Sequence, residues 1–155
     1  MTPDATPREA GTLRQATRAD IDAIVALIAE HPDQLLARTR DDVAQLIDTM
    51  WVIEVDGDIA GCCCLEVYSP KIAEVRSLAV RDRYRGRGFG ARLAEAAVAE
   101  ARRRRIPQIL VVTSAVGFFN RLNFRTCLNE KYALFWEAPP GDEASGRPTS
   151  PGEDS

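Results

Sequence analysis

Histidine is all but missing from this chain of 155 residues: His31 is the only one, and it precedes Pro32 in a loop-like stretch. One imidazole with no second beside it argues against a histidine metal site or a Ser-His-Asp arrangement. Cysteine occurs four times, yet in no pattern that pairs or binds metal. Cys62, Cys63 and Cys64 are consecutive and Cys127 is remote, so there is no Cys-x-x-Cys spacing and no disulfide framework. On a strand, Cys62 and Cys64 share one face and Cys63 takes the other, all three as small buried residues. No apolar run reaches membrane-spanning length, and the N-terminus lacks the apolar core of a signal peptide. No internal repeat occurs. The expectation is a cytoplasmic chain with no membrane partner and no bound metal.

What remains is an ordinary globular composition, with 45% hydrophobic and 28% charged residues. The length suits one domain with a real core. A net charge of −3 argues against a general nucleic-acid binder, but it conceals an asymmetry. Between Arg81 and Arg105 nine arginines face only Asp82, Glu95 and Glu100, a local excess of six positive charges. That block favours anions.

Residues 1–11 are polar with two prolines and predict a disordered leader. Leu13 to Ala16 reads as a short strand. Ile21, Ile24, Val25, Leu27 and Ile28 recur at helical spacing behind the capping residues Thr17 and Asp20. A second helix is expected from Asp41 to about Thr49, with Val43, Leu46 and Ile47 inward. Trp51 to Val55, then Asp56-Gly57-Asp58, then Ile59 to Val67 is a β-hairpin signal. A strand from Ile72 to Val80 follows, and a helix over 91–105 that Pro107 ends. Ile109 to Thr113 is a short apolar run of the kind that forms a buried strand. A short helix at Phe118 to Leu122 and a last strand near Lys131 to Trp136 complete a domain over 12–137. Residues 138–155, rich in Pro, Gly, Ser and acid, predict a disordered tail. The order gives an α/β (α+β) chain: a mixed central sheet of about six to seven strands flanked by helices.

Between the strand ending at Val80 and the next helix lies Arg83-Tyr84-Arg85-Gly86-Arg87-Gly88-Phe89-Gly90. A glycine turn feeding a helix N-terminus gathers unpaired backbone N–H groups at the positive end of a helix dipole. Three interleaved arginines make the expected ligand polyanionic, such as a pyrophosphate. The loop fits neither the dinucleotide fingerprint, since it lies late in the chain after a hairpin, nor a Walker loop, since no Gly-Lys-Ser/Thr follows.

With the hairpin before it and the Phe-Phe element after it, the stretch from Leu13 to Phe124 resembles the GNAT superfamily of acetyl-CoA-dependent N-acetyltransferases. Arg83, Gly86 and Gly88 match that family's Gln/Arg-x-x-Gly-x-Gly/Ala signature. Several segments resemble short amino-acid N-acetyltransferases of the N-acetylglutamate synthase type. These are Glu74 to Val80, Leu35-Leu36-Ala37-Arg38 before a helix, Asp56-Gly57 before Gly61-Cys62, and Thr113 before Phe118-Phe119.

The resemblance implies a GNAT fold with a splayed strand pair and acetyl-CoA as co-substrate. It also implies a small-molecule amine acceptor, a place in arginine biosynthesis and, as in many relatives, a homodimer. The loop amides and side chains of Arg83, Arg85, Gly86, Arg87, Gly88, Phe89 and Gly90 are implied at the CoA pyrophosphate. Leu78, Ala79 and Val80 are implied along the pantetheine arm. Phe119 and Asn120 are further cofactor candidates.

Acetyl transfer to an amine requires a neutral nucleophile, a polarised thioester carbonyl and a route for the departing proton. Glu74 matches the catalytic glutamate of the histone-acetyltransferase branch and is the general-base candidate; its alternative is an ion pair with Arg76 or Lys71. The slot where relatives carry a tyrosine acid reads Phe118-Phe119-Asn120. The thiolate therefore leaves unassisted, or Ser114 or Tyr132 donates a proton. An amino-acid acceptor carries carboxylates that arginine recognises well. Arg14, Arg38 and Arg76 sit where relatives place basic acceptor residues, with Thr113 beside them; otherwise they are surface charge. Arg102 to Arg105 read as a solvated helix end favoured by the dipole. Two departures stand out: Asn123-Phe124 replaces the family's Gly-Phe, and the segment after Phe124 does not match glutamate acetylators. The competing readings are a GNAT acting on a protein N-terminus, a lysine or another amine, and a non-catalytic CoA-binding module.

Overall fold

The Asp56-Gly57 turn closes the central hairpin as its composition requires. Both residues take positive φ, 50° and 80°, the pairing that a tight two-residue hairpin turn demands. It joins β2 (Met50–Val55) to β3 (Asp58–Ser69) in the computed structural model, which describes residues 11–125 and 134–141. β1 (Thr12–Gln15), β4 (Ile72–Val80) and β5 (Gln108–Leu110) complete one sheet in the order β1-β2-β3-β4-β5. The first three pairings are antiparallel and β4–β5 is parallel.

Among the described residues the sheet thus has five strands, fewer than the six to seven expected. Of the expected last strand, residues 131–133 lie outside the described set, and 134–136 take irregular backbone with no ladder partner. The leader at residues 1–10 and residues 142–155 of the tail also lie outside it. The contacts divide the chain into Met1–Asn123, which carries every helix and strand described here, and a unit from Phe124 onward. Among the described residues no helix is long and apolar enough to cross a membrane.

Helices pack on both faces. α1 (Ile21–Ala29) and α2 (Arg40–Leu46) bury Ile24, Leu27, Ile28 and Val43 against Val52, Ile59, Cys62 and Cys64. α2 begins in a reciprocal cap: the Asp42 N–H donates to Thr39 Oγ1 at 3.1 Å and the Thr39 N–H to Asp42 Oδ2 at 2.8 Å. α3 (Phe89–Arg103) covers the other face with Phe89, Leu93, Ala97 and Ala101, the apolar stripe expected of it. Gly61 permits that contact. A Cβ there would stand 2.9 Å from the Ala79 carbonyl oxygen and 2.9 Å from Leu93 Cδ1.

A buried ion pair ties β1 to the entry of α1. Arg14 donates two hydrogen bonds to Asp20, at 2.8 and 2.9 Å, and two more to Glu54 Oε1. The Asp20 side chain is 8% exposed, and its carboxyl is held below the usual range chiefly by the bonds from Arg14. Asp20→Asn removes the carboxylate charge from a guanidinium that is one-third exposed and keeps its bonds to Glu54. It is expected to cost about 1–2 kcal/mol in urea unfolding at neutral pH. A depressed folded-state value means this contribution is complete above the unfolded aspartate value near 4 and fades as pH falls below it. The gap between wild type and variant therefore narrows in acid; a constant gap from pH 7 to pH 3 refutes this account.

Candidate active site

The site opens where β4 and β5 part. Their pairing runs from Ile72 opposite Gln108 to Glu74 opposite Leu110 and then stops. The strand expected over Ile109 to Thr113 is therefore shorter and earlier, Gln108–Leu110, and residues 111–115 cross the gap as irregular backbone. A bulge accounts for the parting. Cys62 faces Ala79 while Cys64 faces Arg76, so two residues of β4 oppose Cys63. Ser77, buried at φ 55°, takes the left-handed conformation that this insertion needs, and its carbonyl accepts the Cys62 thiol at 3.3 Å. Bulges bend their strand and add twist, commonly beside active sites. Beyond it β4 keeps β3 as partner on one edge and, among the described residues, has none on the other.

The resulting cleft has a volume of about 830 Å³. Leu78, Ala79 and Val80 of β4 line it together with Thr113 and Ser114 from the segment after β5. Thr113 Oγ1 accepts the Ala115 N–H at 2.8 Å, which fixes that turn. α4 (Val116–Arg121) brings Phe118 and Phe119 to the wall, their rings edge to face at 4.9 Å. Asn123, at φ 69°, takes the left-handed turn for which the family uses glycine.

One end of the cleft is the glycine loop. Gly86 and Gly88 have φ of 80° and 79°, and a Cβ on either would meet no protein atom within 4 Å. The space before these backbones is open, and the first-turn amides of α3 point out of the helix beyond Gly88. No acidic residue occupies that first turn. Arg85, Gly86, Gly88, Phe89 and Gly90 line the cleft. Arg83 does not: it pairs with Asp58 at the β2–β3 turn. Asp58 Oδ2 also accepts the Tyr84 hydroxyl at 3.1 Å, and the guanidiniums of Arg83 and Arg87 flank the Tyr84 ring at 5.1 and 5.3 Å. Arg83 thus braces the loop through the hairpin. Arg87 and Asn120 also stand outside the lining.

The other end holds the charged side chains. Arg38, 14% exposed, lies 3.7 Å from Glu66 Oε1, and Arg76 lies 3.2 Å from the same atom. Glu74 stands opposite Glu66 across the β3–β4 ladder and lines the cleft with Arg38 and Arg76. The Tyr68 hydroxyl donates to Glu74 Oε1 at 2.5 Å, and burial together with that bond raises the phenol to about 12.

Arg14 is not here. Its guanidinium is engaged by Asp20 and Glu54 and does not line the cleft. Tyr132 lies outside the described residues. Sequence reasoning missed Tyr68, although the Ser69-Pro70-Lys71 turn makes it a hairpin neighbour of Glu74. It also set His31 aside. That residue lines the cleft with Gln34 and Leu36, and its Nε2 is buried without a hydrogen-bond partner.

A mixed sheet whose parallel pair splays over a glycine loop is the architecture of an acyl-CoA-dependent transferase, and the relatives agree. The model of the Acetyltransferase (GNAT) family matches residues 17–124, and the chain belongs to that family. Its class is that of the acetyl-CoA-dependent N-acetyltransferases. An uncharacterized N-acetyltransferase of Chlorobaculum tepidum is 30% identical over 122 residues, 77% of this chain and 79% of that protein. A Mycobacterium tuberculosis protein in complex with CoA and NLQ superposes with a TM-score of 0.70 at 26% identity, covering 72% of this chain and 70% of that one. N-acetylglutamate synthase of Neisseria gonorrhoeae, complexed with coenzyme A and N-acetyl-glutamate, gives 0.66 at 28% identity, over 72% of this chain and 27% of that one. The chain likewise spans 27% and 28% of the amino-acid acetyltransferases of Pasteurella multocida and Neisseria meningitidis that it matches.

Proposed function

We propose that the chain transfers acetyl from acetyl-CoA to the amine of an amino acid such as glutamate. One observation carries the acceptor class: two poorly exposed guanidiniums, Arg38 and Arg76, share a single carboxylate, Glu66, at the Glu74 end of the cleft. Five donors on each guanidinium leave most of their hydrogen-bonding capacity unspent, which suits a ligand bearing carboxylates. The complexes of related proteins with CoA and N-acetyl-glutamate support the same class. Such a product would fit arginine biosynthesis.

The donor is assigned to the glycine loop. Amides from Arg85 to Gly90 hold the pyrophosphate at the α3 N-terminus, and Arg85 and Arg87 add charge. The pantetheine arm lies along the open edge of β4 from Leu78 to Val80, whose amides polarise the thioester carbonyl. Glu74 takes the proton from the acceptor ammonium, directly or through water, and the freed amine attacks the carbonyl carbon. As the C–S bond breaks, the nitrogen sheds its second proton, and that proton reaches the leaving thiolate through solvent or by relay over the Ser114 hydroxyl, so that amide and free thiol are the products.

Release of the CoA thiol, followed against glutamate, aspartate, lysine, spermidine and a peptide N-terminus, tests the acceptor. Fastest turnover with the dicarboxylic amino acids is expected; turnover confined to the cationic or peptide amines overturns the assignment. Arg38→Ala and Arg76→Ala are each expected to raise the glutamate KM at least about tenfold, the worth of a lost charged hydrogen bond. The acetyl-CoA KM should stay within about twofold, because neither residue reaches the loop.

A further inference from the structure

Among the described residues Tyr68 is the one tyrosine in hydrogen-bond contact with the candidate base, and nothing in the family signature points to it. We infer that Tyr68 is a positioning residue: its hydroxyl holds Glu74 Oε1 so that Oε2 alone faces the proton to be removed. This rests on the reading of Glu74 as the base.

The geometry supports it in three ways. The 2.5 Å bond from Tyr68 is the only hydrogen bond to the Glu74 carboxylate among the described residues, and it engages Oε1 rather than Oε2. The two side chains reach one another because Tyr68 shares a strand face with Glu66, which faces Glu74 directly, and the register shift between Val67 and Ser69 leaves Tyr68 itself out of the ladder. The Glu74 backbone is fixed on both edges, by Glu66 on β3 and Leu110 on β5, so the remaining freedom lies in its side chain. A long flexible carboxylate is poorly aimed unless something holds it, and misplacement by an ångström weakens proton transfer severely.

The charged surroundings are consistent. Arg76 on the same strand, Glu66 across the ladder and Tyr68 surround the carboxylate, while β5 opposes it with apolar Leu110. Proton flow balances without Tyr68 giving up its own proton. The acceptor N–H⁺ bond breaks, Oε2–H forms, and the phenol donates to Oε1 before and after. With its phenol raised to about 12, Tyr68 stays a donor at working pH.

The test is a double-mutant cycle on Tyr68→Phe and Glu74→Gln, read in kcat with acetyl-CoA and the fastest acceptor of the panel. Tyr68→Phe alone is expected to lower kcat about tenfold with both KM values unchanged, and to add nothing in the Glu74→Gln background. Additive losses, or a loss confined to the acceptor KM through the neighbouring Arg76, overturn the inference. A Glu74→Gln enzyme with full rate overturns the base itself, which is a separate result. A readout without turnover accompanies these. By NMR of ring-labelled tyrosine, Glu74→Gln should bring the Tyr68 phenol from about 12 toward its ordinary value near 10. A phenol unmoved by Glu74→Gln means that Tyr68 does not sense the Glu74 carboxylate in solution, and it overturns the inference.

Discussion

Glu74→Gln lowers kcat about a hundredfold at neutral pH and leaves acetyl-CoA affinity unchanged. A positioned general base contributes roughly 10²–10⁴ in rate, and glutamine of the same shape supplies none of it. The substitution is mild in every other respect. The amide oxygen can still accept the Tyr68 hydroxyl, and the backbone stays within its ladders to β3 and β5. Amino-acid ammonium groups lose their proton spontaneously near pH 9–10, so the deficit should shrink as the assay pH rises toward that range. Steady-state kinetics from pH 7 to 9.5, paired with calorimetric titration of CoA, measures both halves. A variant that keeps the wild-type rate throughout removes Glu74 from the proton path.

Gly88→Val weakens acetyl-CoA binding about a hundredfold and shifts the melting temperature by only a few degrees. Two effects combine. At φ 79° a β-branched residue is strained by about 1–2 kcal/mol. Its side chain also enters the open space in front of the loop, where a Cβ meets no protein atom but the assigned pyrophosphate requires close backbone approach. Gly88→Ala should fall between wild type and valine. Gly61→Ala is the control. Its Cβ would strike the Ala79 carbonyl and Leu93, so it should reduce stability and spare affinity per folded molecule. Equal CoA affinity in Gly88→Val and wild type excludes the loop as the donor site.

The features legible in the sequence are those that local chemistry dictates. The Asp56-Gly57 hairpin and the burial of Phe89, Leu93, Ala97 and Ala101 follow from turn preference and helical periodicity. The glycine loop was legible for the same reason. What escaped depends on register. Alternation along Ile72 to Val80 is intact in the burial pattern, so nothing in it reveals that Ser77 is a bulge. The bulge nevertheless parts β4 from β5 and leaves β5 only three residues long. Arg14 shows the same limit. As a residue type it suited an acceptor carboxylate, but the β1–β2 register pairs it with Val52 and leaves Glu54, opposite Thr12, within diagonal reach, and the turn before α1 delivers Asp20. Tyr68, a hairpin neighbour of Glu74, lies at a second irregularity, between Val67 and Ser69.

The three consecutive cysteines have a consequence for an enzyme whose by-product is itself a thiol. Cys62, Cys63 and Cys64 are fully buried. Burial raises all three thiols, Cys62 and Cys64 to about 12. At neutral pH they are neither ionised nor reachable, whereas thiol–disulfide exchange requires an accessible thiolate. On the assignment of the donor to this cleft, each turnover would release a free thiol near this strand. The three buried cysteines offer it no sulfur with which to form a mixed disulfide.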